Sequence, residues 1–147
     1  MSAVDAFEDS LLDLLFLNTL IANIGDATGL PASAAPGSCQ VSIHTAALTD
    51  TDTLLTATEC DYTGYARPTV ARSGAGWTSV GGTASNAALI QFGEMSAGAS
   101  DTAVHFGLGF LATGDILRIH GDLGADLVIN VGVNPQFAIG ALDITLD

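Results

Sequence analysis

Lysine is absent from this chain of 147 residues, and arginine occurs three times against sixteen aspartates and glutamates. The resulting formal charge of -13 excludes the cationic grip on phosphates that nucleic-acid binding needs. It disfavours an anionic membrane surface for the same reason. Such self-repulsion lowers stability, and salt relieves it by screening over roughly 8 Å at physiological ionic strength. The missing lysine and the excess of Asp over Glu therefore point to a saline setting, marine or hypersaline. Cysteine is scarce too: Cys39 and Cys60 form neither a CxxC nor a metal-binding spacing. Both are expected to be small buried hydrophobes, with a disulfide as the alternative. No long apolar run survives either. Asp13, Asn18 and Asn23 interrupt the apolar N-terminal stretch, and no Lys or Arg precedes it, so neither a signal peptide nor a membrane span is expected.

What is present suits one domain, because 48% apolar residues over this length can fill a single core. The stretch 3–24, "AVDAFEDSLLDLLFLNTLIANI", predicts the one helix. Val4, Phe7, Leu11, Leu14, Asn18 and Ile21 fall on one stripe at 3,4 spacing, and Leu12, Leu15, Phe16, Leu17 and Leu20 add a second apolar face. Ser2 is placed to cap its start, Asp5, Glu8 and Asp9 complement the positive helix end, and Gly25 can stop it. Residues 26–38 read as a linker of Gly, Pro, Ala and Ser. From Cys39 the period becomes two, with Val41, Ile43 and Thr45 opposite Gln40, Ser42 and His44, which predicts a half-buried strand. A polar connection at 47–58 follows. Further short β runs are expected at 60–72, 76–80, 83–93, 102–110, 115–120, 126–133 and 141–146, separated by glycine-rich turns. The organisation expected is a helix over 1–25, a linker over 26–38 and a β-rich body over 39–147, one domain in all. Its class is mainly β, an antiparallel sandwich or jelly-roll-like fold preceded by one helix. No helical pattern long enough for a βαβ crossover follows residue 24.

A search for chemistry finds little. His44, His105 and His120 each sit in an alternating strand, and no pair shows HxxxH or HExxH spacing. GxSxG is absent, "GLGF" at 107–110 lacks the context of a dinucleotide loop, and no lysine exists to complete a phosphate-binding P-loop. Asp50, Asp52, Asp101 and Asp115 could offer oxygens to calcium, but without EF-hand spacing. No enzyme activity, cofactor or metal is expected.

The exception to this plainness is "CDYTGYARPTVARSGAGW", residues 60–77, which holds two of the three arginines, both tyrosines and the only tryptophan. Alternation would put Tyr62, Gly64, Ala66, Pro68 and Val70 on one side and Thr63, Tyr65, Arg67, Thr69 and Ala71 on the other. Pro68 cannot donate to a ladder, so the run should lie at a sheet edge or contain a bulge. Arg67 and Arg72 are expected either to pair with carboxylates inside the chain or, with the aromatics, to form a contact surface, since Tyr, Trp and Arg are enriched at interface hot spots.

The order "VSIHTA" at 41–46, "YTGYARPTVARSGAGW" at 62–77, "TASNAALIQF" at 83–92, "TAVHFGLG" at 102–109 and "INVGVNPQFAIGALDITLD" at 129–147 resembles a family of small tailed-phage proteins. Its members are labelled phage tail fibre or virion structural proteins. That resemblance implies a virion component that contacts the major capsid protein or other virion subunits, as a homo-oligomer, without nucleic acid or membrane. Interface candidates are Phe7, Leu11, Leu14, Asn18 and Ile21 on the helix, with Tyr62, Tyr65, Arg67, Arg72 and Trp77. Compactness and acidity favour a cement or decoration protein on the head exterior, where repeated contacts reinforce one another. The alternatives are a tail fibre or tail-tip component, or a host-glycan binding module in which Trp77 or Tyr65 stacks on sugar.

Overall fold

The computed structural model describes residues 3–26, 28–110 and 116–146; the expected cap Ser2, the turn at 112–115 and Asp115 lie outside the described residues. In chain order the elements are α1 (Asp5–Leu12), a π-helical turn (Asp13–Leu17), β1 (Ser38–His44), β2 (Thr69–Ala71), β3 (Trp77–Val80), β4 (Thr83–Asn86), β5 (Ile90–Gln91), β6 (Asp101–Gly109), β7 (Ile119–Ile129), β8 (Gln136–Phe137) and β9 (Asp143–Thr145). The protein is mainly β with one N-terminal helix, and the pairs β1–β6, β6–β7, β3–β4 and β4–β9 are antiparallel. Strands follow the orders β2-β1-β6-β7, β3-β4-β9 and β5-β8. The chain gathers into two compact units: Met1–Gly37 with Ala71–Ile90 and Phe137–Asp147, and Ser38–Val70 with Gln91–Gln136.

In the first unit the helix stops earlier than its apolar pattern suggests. Asn18 takes φ 56 and closes the π-helical turn, and asparagine tolerates this left-handed conformation better than other residues with a side chain. Its amide then mimics a backbone: Nδ2 donates to Ser33 O at 2.9 Å and Oδ1 accepts from Ser33 N at 3.0 Å. The buried stripe also differs from the expected one. Leu12 and Phe16 are fully buried, whereas Val4 and Phe7 are 70% and 41% exposed. The reason lies in the β3–β4 hairpin, whose Gly82 N–H donates to the Asp9 carboxylate. Asp9, Leu12 and Phe16 share one face at helical spacing, so this contact turns that face toward the hairpin.

Gly81 and Gly82 join β3 to β4 with φ 61 and 76, the positive values that a primed two-residue hairpin turn demands. Trp77, Ala84, Asn86 and Ile144 are buried on one side of the three-stranded sheet, and Thr78, Val80 and Thr145 are exposed on the other. Phe16 meets Trp77 with ring centroids 4.6 Å apart and planes tilted by 54°. Asn86 binds the C-terminal segment: Nδ2 donates to Ala88 O and Ala138 O, each at 2.8 Å, and Oδ1 accepts from Leu142 N at 2.9 Å. Gly140 N also donates to Asn86 O at 2.8 Å.

In the second unit β1 is covered on both faces, not the one that alternation suggested. Val41 and Ile43 oppose Leu108 and Phe106 on an apolar side, while Ser42 and His44 oppose Gly107 and His105 on a polar one. Every residue from Val41 to His44 is buried, because the segment after β1 folds back over the polar side. The expected run at 60–72 shortens to β2. Before it, Tyr65 N donates to Tyr62 O at 2.9 Å in a turn, and Gly64 takes φ 104. A Cβ at Gly64 would strike Glu94 O and one at Gly93 would strike Gly64 O. Two backbones thus pass too closely for side chains, which replaces the alternating strand read from the sequence. Pro68 keeps its expected place beside the edge strand β2, where its carbonyl accepts from Val41 N at 3.1 Å.

Removing the Asn86 side chain orphans the buried Leu142 N–H, while Ala88 and Ala138 are exposed and Ala138 O keeps its bond from Ala141 N. Asn86→Ala should therefore lower unfolding stability by about 1–3 kcal/mol, read as a fall in the urea midpoint at unchanged m value. A loss near zero would show that the C-terminal segment is held by its apolar contacts instead.

Candidate functional site

The 60–77 stretch divides its cations and aromatics between internal joints. Glu59 Oε1 accepts from Tyr65 Oη and Arg67 Nε, both at 2.6 Å, and Oε2 accepts from Arg67 Nη2 at 2.6 Å. With the Arg67 and Glu59 side chains only 17% and 12% exposed, this is a largely desolvated, bidentate pair. Ile43 N donates to Tyr65 Oη at 3.3 Å, which ties the pair to β1. Tyr62 Oη donates to Gly93 O at 2.9 Å, and its ring meets Tyr65 edge-on at 5.3 Å. Tyr65 in turn stacks on Phe92 at 5.9 Å. Burial pushes the Tyr62 phenol up to about 12, and burial followed by the hydrogen bond to Glu59 pushes Tyr65 well above its ordinary range. Burial, with Asp101 next, raises the Cys60 thiol to about 12; Cys39 is buried as well. These groups are held neutral and inert, not activated.

Arg72 lies across the end of the helix. Its Nε and Nη2 donate to Leu15 O and Leu14 O at 2.6 and 2.7 Å, and Nη1 reaches Pro36 O at 2.8 Å. A guanidinium here satisfies carbonyls that a helix end leaves open and meets the negative pole of its dipole. Trp77 is fully buried, as are Ile21 and Tyr62 within a few per cent. Its ring therefore presents no face to a sugar in this fold. Among the interface candidates, Phe7 is exposed and Leu11, Leu14, Asn18, Tyr65, Arg67 and Arg72 are half-buried.

The register assembles something that no linear motif shows. His44 pairs with His105 and Ser42 with Gly107; His105 pairs with Asp122 and Gly107 with His120. All three histidines therefore share one face of the β1–β6–β7 sheet. A sequence signal existed in the period-two pairs Ser42/His44, His105/Gly107 and His120/Asp122, but only pairing brings them together. His44 Nδ1 lies 2.6 Å from Ala57 O, so that nitrogen carries the proton and Nε2 accepts from Ser42 Oγ at 2.7 Å. A serine–histidine pair of this geometry is the arrangement of an activated nucleophile. Here its orienting partner is a backbone carbonyl, and both side chains are fully buried. A Cβ at Gly107 would fall 2.7 Å from Ser42 Oγ and 2.8 Å from His44 Nε2, so no substrate atom fits above the pair.

His105 Nε2 lies 3.5 Å from Asp122 Oδ2, and His120 Nε2 lies 3.4 Å from Asp50 Oδ1. An open cleft of about 500 Å³ beside them is lined in part by Asp50, Asp52, Arg118 and His120. Thr49, through its N–H and hydroxyl, holds the Asp52 carboxyl below the usual range. Among the described residues no three metal-ligating side chains converge, the calcium candidates Asp50, Asp52 and Asp101 included. No helix among them is long and apolar enough to cross a membrane.

A β-rich chain in which Arg67, Arg72, Tyr62, Tyr65 and Trp77 are spent on internal contacts has the make-up of a structural protein. The family model described as podophage GP4 fiber I protein gp80 matches residues 8–145, and the chain belongs to that family of phage virion proteins. No curated protein matches it.

Two outcomes follow from these joints. Breaking a buried ion pair from one side costs about 3–5 kcal/mol, and Arg67→Met should approach the lower end because some water reaches the pair. The double change Glu59→Gln with Arg67→Met should recover part of that loss in a denaturation cycle; strictly additive losses would mean that the pair is not coupled. Burial also lowers the His44 imidazole below its ordinary range, against the Ala57 carbonyl and Glu59. The unfolded chain then takes up the proton first as pH falls through about 6.5. His44's contribution is complete above that pH and declines below it. The urea midpoint should fall between about pH 7.5 and about pH 5.5, and His44→Gln should flatten the fall.

Proposed function

We propose that the chain is a building block of the fibre of a podophage virion, a module that works by cohesion with neighbouring subunits and not by turnover. The family match over residues 8–145 carries this reading and favours a fibre component over head cement. The interior agrees with a structural role: the Glu59–Arg67 pair, Arg72 on its carbonyls and the enclosed Ser42–His44 pair are all spent on internal contacts. A charge of -13 keeps such copies apart from packaged DNA and leaves association to apolar contacts. Val4 and Phe7 at the helix start are the exposed members of the candidate set's stripe, and we place the contact with other virion subunits there, with Leu11 and Leu14 beside them.

Quantitative counting of the protein in purified particles tests the assignment. A few copies per virion, located at the tail by antibody labelling, are expected. Particles lacking the protein should keep heads of normal heat resistance and lose adsorption. Copies spread over the head, with fragile heads in their absence, would reverse the reading in favour of cement.

A further inference from the structure

The segment after β1 leaves the sheet at Thr45 and returns at Thr58, and its ends are held together: Thr45 N and Oγ1 both donate to Thr58 O, at 2.8 and 3.0 Å. Residues 45–58 are thus an Ω-loop, a closed surface excursion of roughly 6–16 residues. Most of its side chains are exposed. Thr58, at the neck, takes φ 52, a left-handed conformation that a β-branched residue adopts only under constraint. The loop rests on the sheet through a small apolar foot, Leu48 and Leu55 against Leu117, and through the Thr53 carbonyl, which accepts from Leu117 N at 2.9 Å. Beside that foot the cleft is lined by Thr49, Asp50, Asp52 and Thr53 of the loop.

Leu54 also bridges to Ile116, and among the described residues three histidines hold the loop as well. His44 Nδ1 donates to Ala57 O, Leu48 N donates to His105 Nδ1 at 3.2 Å, and His120 Nε2 faces Asp50. We propose that the Leu48 segment of the 45–58 loop is a proton-released flap, closed by neutral His105 and freed when that ring is protonated.

The hydrogen-bond roles give the mechanism. In the closed state His105 Nδ1 is an acceptor, so its proton sits on Nε2, toward Asp122. Adding a proton to Nδ1 sets an N–H against the Leu48 N–H, and that bond is lost. The charged ring does not leave the sheet, because Asp122 remains on its other nitrogen. His44 does not share in this release: its Nδ1 donates to Ala57 O in either state, and only Ser42, on β1, would exchange its partner for Gly107 O at 3.3 Å. His120, whose ring centroid is 6.4 Å from that of His105, lies beside Asp50, so the release is confined to the Leu48 end of the loop.

The groups facing this set are His44 and Glu59 with Arg67 on the β1 side, His120 and Asp122 from β7, and Asp50 and Asp52 from the loop. Asp122 and Asp50 are largely solvated, at 71% and fully exposed side chains. Histidine as a residue type ordinarily changes charge between about pH 5 and 8, which sets the range for the test.

Amide hydrogen exchange on the full chain, followed by NMR from about pH 7.5 to about pH 5, reads the flap directly at Leu48. After correction for intrinsic rates, Leu48 protection should fall about tenfold or more while that of Phe106 on β6 holds. In His105→Gln, whose side-chain oxygen offers an acceptor that cannot be protonated in this range, Leu48 protection should be independent of pH. Unchanged protection in the native chain, or an equal fall in the variant, overturns the proposal. Should the variant fail to fold, the imidazole nitrogen shifts of the native chain decide: His105 Nδ1 must gain its proton together with the Leu48 change. A proton already on Nδ1 at neutral pH, or a Leu48 change without it, sinks the idea.

Discussion

Arg72 on the carbonyls of Leu14, Leu15 and Pro36 is the joint from which the helical unit takes its shape. A helix that ends in a π-helical turn leaves carbonyls pointing forward with no N–H to meet them. In a chain with three arginines and no lysine, the guanidinium that meets them comes from the segment leading into β3. One side chain thereby links the helix end, which Asn18 closes, to the loop at Pro36 and to the segment before β3. Fewer cations do not mean weaker electrostatics inside the fold. Arg67 and Arg72 work at short range and low exposure, where a charge–dipole or charge–charge contact is screened least, while the carboxylates spread over the surface.

The same economy governs the polar interior. Asn86, the Glu59–Tyr65–Arg67 set and the Ser42–His44 pair each satisfy backbone groups that short strands cannot pair among themselves. Several strands are only two to four residues long, so the ladders hold few bonds each. Side chains that imitate the backbone make up the difference, and burying them fully satisfied fixes one register out of several that near-equivalent Thr, Ser and Ala strands would allow.

Much of this was legible in the residues. The mainly β class, the antiparallel pairing, the N-terminal helix and the edge position of Pro68 followed from period and turn chemistry. The helix end did not, because Asn18 and a π-helical turn are local choices that apolar spacing cannot report. Nor did the irregular path of 60–68, where Gly64 and Gly93 let two backbones touch. Its alternation of Tyr, Gly and Arg looks like a strand in one dimension. The cations and aromatics of that stretch stood out as a cluster, but whether they face inward or outward depends on Glu59, Leu14 and Phe16, distant partners that only the fold supplies. The histidine face was hidden for the same reason: three unremarkable period-two pairs become one feature only once register is known.

The helical unit is built from both ends of the chain and its middle, since β9 pairs with β4 and Leu142 is bound by Asn86. During synthesis on the ribosome the helix emerges before either strand it lies on, and β4 lacks its neighbour β9 until some sixty residues after it. The other unit, drawn from residues 38–136, is made before β9. The helical unit is thus begun early and finished late, and a chain cut short before β9 would leave β4 unpaired on one side and spare the other unit.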